Sequence, residues 1–578
     1  LVVRPDGSYS FTLQGPVDHP QQDGVDSETL GASNLALDFS GVLVATDGDG
    51  DPVFGGFAGG SFVIDVEDDV PTLKATNPQQ PALGGTVHED LLTSPNAGNP
   101  DGGTQTLVVS TEGGAGNLSS LVSFGADGPG AFGLVNSDDA TALLDAQGLT
   151  SGGENLVYDV VETRVDGKLV STTLTAVSAD SLGNYPVFTL TVNADGSFSF
   201  ELQGPIDHPV ADGNDGELWS NDGAFGIDFT QLFTATDGDG DPLQLPEGAK
   251  GLFVINIQDD VPLPAQPSQQ QPVVGGLVHE DALGNGNAEP GSEPQQTLTV
   301  EGGARTLDAL VNFGADGRGG FHLSQEPGAL SGLQALGLTS GGVALFYAVS
   351  ADGTTLTATA GDGGSPVFTL QVGTDGSYLF TLNGALDHQE ADGVDSETLG
   401  DNSQALDFSG VLVATDGDGD PIAAGFPSGS FVIDVEDDVP ILKTLDPQQP
   451  ALGGTVHEDL LTSPNAGNPD GGTQTLVVST EGGAGNLSSL VSFGADGPGA
   501  FGLVNSDDAT ALLDAQGLTS GGESLLYEVV ETRVDGKLVS TTLTAVSADS
   551  LGNYPVFTLT VNANGSFSFE LQGPIDHP

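Results

Sequence analysis

The chain has 578 residues, with 81 Asp and Glu against 10 Lys and Arg, a formal net charge of −71. Such a surface has no basic face to neutralise phosphates, which excludes nucleic-acid binding and argues against anionic membranes. Cys and Met are absent and no apolar run approaches a membrane-spanning length, which leaves no disulfide framework, no soft-metal site and no direct membrane insertion.

Acidity alone does not imply disorder. Only 16% of residues are charged, Gly and Pro make up about a fifth, and mean hydropathy is −0.03. The acids also recur in fixed motifs. In chain order, Asp-His appears at Asp18, Asp207, Asp387 and Asp576, at spacings of 189, 180 and 189. An acidic loop follows: Asp23, Asp26 and Glu28, then Asp212, Asp215 and Glu217, then Asp392, Asp395 and Glu397. Next come Asp38, Asp228 and Asp407, and then the string Ala-Thr-Asp-Gly-Asp-Gly-Asp-Pro at Ala45–Pro52, Ala235–Pro242 and Ala414–Pro421. Asp-Asp-Val-Pro closes each unit at Asp68–Pro71, Asp259–Pro262 and Asp437–Pro440, and Val-His-Glu-Asp opens the next at Val87, Val278 and Val456. Phe-Gly-Ala-Asp-Gly follows at Phe124, Phe313 and Phe493.

These repeats predict units at 1–71, 81–262, 272–440 and 450–578, the first and last being parts of a repeat. Shifting Pro81–Pro209 by 369 residues maps it onto Pro450–Pro578 with differences only at Asn155/Ser524, Val157/Leu526, Asp159/Glu528 and Asp195/Asn564. Near-identity in loops as well as core indicates duplication of a two-unit block. The sequence starts and stops within motifs, so a segment of a longer protein is expected.

Alternation predicts strands at Val42–Thr46, Phe62–Val66, Leu169–Val177, Val187–Val192 and Ser197–Leu202, the last two flanking a hairpin turn at Asn193–Gly196. Ala140–Gln147 is the one short helical candidate. The fold class expected is all-β: a tandem array of antiparallel β-sandwich modules. Pro71–Pro81, Pro262–Pro272 and Pro440–Pro450 read as short stiff linkers.

Three carboxylates at alternate positions on a Gly-rich loop suit a hard divalent cation, above all Ca2+. Candidate ligands are therefore Asp47, Asp49 and Asp51, with Asp237, Asp239 and Asp241, and Asp416, Asp418 and Asp420. The loop is not an EF-hand, since its sixth position is Pro52 and its twelfth Ala58. The acidic loops at Asp23–Glu28, Asp212–Glu217 and Asp392–Glu397 form a second candidate set. A third lies at the joints, where Glu67, Asp68 and Asp69 leave one module and Glu89 and Asp90 begin the next; ions shared across the linker would stiffen it. Asp127, Asp316 and Asp496 are ambiguous, the histidines read as hydrogen-bonding residues at strand ends, and no catalytic constellation stands out from the repeats.

Together the Glu-Asp start, the Thr-Asp-Gly-Asp-Gly-Asp loop and the Val-Glu-Asp-Asp-Val-Pro exit resemble the extender repeats of giant type I-secreted RTX adhesins and biofilm-associated agglutinins. The resemblance implies Ig-like modules rigidified by Ca2+, on a bacterial cell surface or in a biofilm matrix. It implies a non-enzymatic structural rod supporting adhesion, whose partners are calcium ions and neighbouring repeats. Pairing with other copies in a filament and binding of carbohydrate are the alternatives; only Trp219 and seven Tyr are available for a sugar platform.

Overall fold

The computed structural model describes residues 1–74, 83–100, 102–178, 184–221, 223–265, 274–287, 297–389, 393, 396–443, 452–547 and 553–577. The fold is all-β, with 37% strand, 11% helix and several antiparallel sheets. Much of each predicted linker (75–82, 266–273 and 444–451) and the candidates Asp392 and Asp395 lie outside the described residues.

The unit beginning at Leu83 illustrates the architecture. One layer is a six-stranded antiparallel sheet in the order 150–151, 154–165, 168–178, 185–193, 198–202 and 108–110. Alternation generates its inner face: in Lys168–Ser178, Thr172, Leu174, Ala176 and Ser178 are buried while the residues between them are not. A bulge opposite Ala176/Val177 turns both Val187 and Phe188 inward. At the hairpin turn, Gly196 has φ +80°, and Asp195 Oδ1 accepts the Ser197 amide (2.9 Å) as Asn564 Oδ1 does that of Ser566 (3.0 Å).

The opposing layer combines Ile227–Asp228, Phe253–Gln258 and Leu83–His88 with the pair Phe233–Asp237/Pro129–Leu134. Phe188 and Phe200 of the first layer meet Phe229 of the second with ring centroids 6.0 and 5.9 Å apart, and Phe198 meets Phe253 at 4.6 Å. Buried aromatic contacts of this kind hold the two layers together. A second core runs from Val274 to Val435 and a third from Leu461 to Leu571. The short helix Ser137–Asp145 is capped by Asn136, whose side chain accepts the Asp139 amide.

Two features of the second layer govern the joints. Leu83–His88 pairs with Phe253–Gln258 in parallel, so the first and last strands of the module end side by side. Leu263–Pro264, just past the last strand, pairs with Val311–Asn312 of the following unit. The same parallel pairing recurs between Val274–His279 and Phe431–Glu436, and the same handover between Ile441–Leu442 and Val491–Ser492.

The expected strand Val42–Thr46 is not formed. Its counterparts Phe233–Asp237 and Leu412–Asp416 are strands because Pro129–Leu134 and Arg318–Leu323 pair with them. Among the described residues no such partner lies beside Val42–Thr46, and a lone alternating segment has no ladder to join.

Candidate metal centres at the module joints

The joint between the units at 83–265 and 274–443 is built from four chain segments. Parallel pairing sets His88 level with Gln258, so Glu89 and Asp90 emerge beside Asp259 and Asp260. Glu89 Oε1 accepts the Ile206 amide at 2.7 Å, which draws in Asp207 and His208. The His208 ring spans Ile257 O (Nε2, 3.4 Å) and Asp259 Oδ1 (Nδ1, 3.3 Å).

The facing side comes from the next unit. In its Asp-Gly-Asp-Gly-Asp loop, Asp416 Oδ1 accepts the amides of Gly419 (3.1 Å) and Asp420 (2.8 Å), closing the turn on itself. The other two carboxylates reach backwards: Asp418 Oδ2 accepts the His208 amide at 2.9 Å and Asp420 Oδ1 that of Gly213 at 2.5 Å. Asp260 accepts the amides of Asn99 (3.1 Å) and, across the joint, Ala315 (2.7 Å). Gly314 is required there, because at its φ of +79° a Cβ would stand 2.5 Å from Asp260 Oδ2.

The upstream joint repeats these contacts: Asp239 Oδ2 takes the His19 amide (2.8 Å), Asp241 Oδ1 that of Gly24 (2.8 Å) and Asp69 Oδ2 that of Ala126 (2.7 Å). Downstream, Glu280 Oε1 takes the Leu386 amide (2.6 Å) and Asp438 Oδ2 that of Ala495 (2.6 Å). A cleft of about 530 Å³ opens at that joint, lined in part by Asp387, His388, Asp437, Asp438 and Asp496.

Glu89, Asp259 and Asp241 are fully buried, and Asp237, Asp416 and Asp420 nearly so. Each nevertheless leaves one carboxylate oxygen without a hydrogen-bond partner. Among the described residues the arginine ion pairs are Arg164–Glu162, Arg318–Asp308 and Arg533–Glu531, and none reaches these groups. Burial, then the charges of Asp418 and Asp420, pushes Asp259 up to about 9. Complete burial and Asp259 raise Glu89 well above the carboxylate range. Asp316 is raised in the same way, by burial and by Glu89, Asp418 and Asp259. Burial lifts Asp260 and Asp68 to about 6.

A buried, uncompensated carboxylate costs several kcal/mol, and here several face one another. Such a site requires protons or a cation. All-oxygen donors with spare lone pairs, on chain segments from two modules, suit Ca2+, which takes 6–8 oxygens in flexible geometry. His208 Nε2 faces Ile257 O at 3.4 Å, whereas its buried Nδ1, 3.3 Å from Asp259 Oδ1, makes no hydrogen bond.

Four carboxylate groups that look separate in the sequence therefore meet. Glu89, His208 and Asp259 lie within coordination reach of one another, as do His19, Asp68 and Asp239, and Asp90, Asp215 and Asp260. One sequence expectation is corrected. Glu89 and Asp90 do not join Asp68 and Asp69 across the preceding linker; the strand Leu83–His88 carries them along their module to its own exit, beside Asp259 and Asp260. Asp47, Asp49 and Asp51 do converge, but in an exposed loop. Asp23 and Asp26 are exposed, whereas Glu28 and Glu397 are buried near the exits of their units. Asp212 and Glu217 act electrostatically with Asp420. Asp316, ambiguous from sequence, is a member of the cluster; the signal was its fixed place after Phe-Gly-Ala in every copy.

Residues 277–426 match a family model described as a domain of unknown function, DUF5801. No curated protein matches the chain.

Proposed function

We propose that this chain is an extender: a rod of β-modules whose joints are closed by Ca2+, serving a bacterial surface adhesin or matrix protein outside the cell. The observation that carries this reading is the buried carboxylate oxygens of Glu89 and Asp259 facing Asp416 and Asp420 across a joint, with no Lys or Arg ion pair reaching them among the described residues. Without divalent ions these charges repel across the joint, in a chain averaging about −24 per unit. Ca2+ bound only when both sides are assembled ties folding and straightness of the rod to its concentration. Extracellular modules use weak sites, with Kd on the order of 10⁻⁴–10⁻³ M.

Sugar binding by an aromatic platform has little support, because Trp219 is only 3% exposed. The test is a melting curve and small-angle X-ray scattering of the chain in Ca2+ and in chelator. The extender reading expects a higher melting temperature and a longer maximum dimension in Ca2+. Identical melting and dimensions in both conditions would sink it.

A further inference from the structure

We propose that the hairpin Glu154–Val165/Lys168–Ser178 and its copy Glu523–Val534/Lys537–Ser547 are lateral docking sites for a second copy of this chain. In the unit between them the corresponding strand, Val343–Val349, has 7 residues where Glu154–Val165 and Glu523–Val534 have 12. The two longer hairpins project beyond their cores, and past Leu156 and Tyr158 the strand alternation no longer buries anything completely.

The projecting strand is also an edge. Among the described residues Glu154–Val165 pairs with Lys168–Ser178 on one side, but on the other only with the two residues Thr150–Ser151 at its start. The Val160 amide donates to Ser137 Oγ at 2.9 Å and so points away from the neighbouring strand. The register shifts between Thr163 and Arg164, but the extra residue, Val170, lies on the partner strand, so two-residue alternation along Glu154–Val165 directs the Glu162 and Arg164 amides the same way as that of Val160. An unpaired edge of this kind is a template for another strand.

Charge and shape select the partner. The chain's −71 opposes association almost everywhere, yet four of its 10 cationic residues are Arg164, Lys168, Arg533 and Lys537. From Glu162 to Lys168 the signs alternate and cancel. Antiparallel pairing of two such edges must match outward-pointing amides, which restricts the register to even steps. Centring on Thr163 sets Glu162 opposite Arg164 of the other copy, twice, and Val161 opposite Val165, twice. Shifting by one step either way sets Glu162 against Glu162 or Arg164 against Arg164. Val161 and Val165 are 55% and 57% exposed, and the Glu162–Arg164 ion pair (2.8 Å) is solvent-exposed and free to exchange partners. Opposite charges and β-branched pairs across strands each favour pairing modestly. Two hairpins per chain convert weak contacts into avidity.

The test is sedimentation equilibrium of the whole chain in Ca2+, as wild type, as Glu162→Arg with Glu531→Arg, and as Arg164→Glu with Arg533→Glu. Wild type is expected to self-associate reversibly. Each variant, with like charges opposed, weakens association about tenfold or more. An equimolar mixture of the two variants restores opposite charges at every pair and regains wild-type association. Melting curves matching wild type check that the half-exposed positions leave folding intact. A wild-type chain that stays monomeric, an association indifferent to both variants, or a mixture no stronger than its components would each overturn the proposal.

Discussion

The backbone amide of His208 donates to Asp418 Oδ2 at 2.9 Å, joining the exit of one β-module to the Asp-Gly-Asp-Gly-Asp loop of the next. His19 and Asp239 make the same bond at 2.8 Å one joint upstream. Each loop thus serves the contact with the module before it, more than the interior of its own. Asp418→Asn keeps an oxygen for the His208 amide and removes a charge from the crowded side. In chelator the variant is expected to melt at or above wild type, and in Ca2+ below it. Calorimetric melts in both conditions check this crossing of sign.

The exposed loop gives the matching control. Replacing Asp47, Asp49 and Asp51 together by Asn alters side chains that are all exposed, so melting shifts by no more than about 0.5 kcal/mol. Loss of most of the Ca2+ response in this triple variant, measured as the same pair of melts, would assign the response to the isolated loop and not to the joints.

The pH dependence has a definite sign. Asp260 and Asp68 lie at about 6 and Asp259 at about 9 when folded, against about 3.9 for an unfolded Asp. Raised carboxyl values mean that the folded state holds more protons. In chelator, their contribution to stability is therefore complete below about pH 4 and is lost as pH rises through about 6 and then about 9. If Ca2+ closes the joints as proposed, it competes with those protons, its stabilising effect is expected to grow over the same interval, and binding is expected to release protons. Titration calorimetry in buffers of differing ionisation enthalpy at pH 7 reads the release directly; none released would contradict the raised values.

Much of this was legible in the repeats. Alternation in Leu169–Val177 and the Asn193–Gly196 turn marks the large sheet, and Asp-Gly-Asp-Gly-Asp marks an acidic loop in each unit. The partner of that loop was not legible. Local pattern identifies a strand, whereas whether Leu83–His88 runs parallel or antiparallel to Phe253–Gln258 depends on pairing between distant residues. That one orientation decides which joint receives Glu89. Asp316, ambiguous in the sequence, was obscure for a related reason: its carboxylate is buried against Glu89 and Asp259 of the preceding module, which no local pattern reveals.

The core should respond independently of calcium. Phe188 is fully buried, with Phe200 at 5.2 Å and Phe229 at 6.0 Å between ring centroids. Phe188→Ala is expected to cost its module about 3–5 kcal/mol, equally in Ca2+ and in chelator. A loss confined to one condition, read from denaturant melts, would mean that the core and the joints do not contribute separately.

Gly84 links core to joint. At its φ of +132° an added Cβ would stand 1.8 Å from Val254 O, in the parallel pair that ends at Glu89 and Asp259. Backbone against backbone cannot yield as a flexible side chain does, so Gly84→Ala must spread the two strands. The expected cost is about 2 kcal/mol or more in stability. Spreading also separates Glu89 from Asp259, so Ca2+ affinity at the downstream joint falls along with stability. Gly7→Ala, where φ is +81° and nothing lies within 4 Å of the added Cβ, is the comparison: it carries backbone strain without steric collision and leaves the joint intact. Calcium titrations followed by melting temperature distinguish the two, with Gly84→Ala requiring more Ca2+ to reach half its maximal shift and Gly7→Ala following wild type.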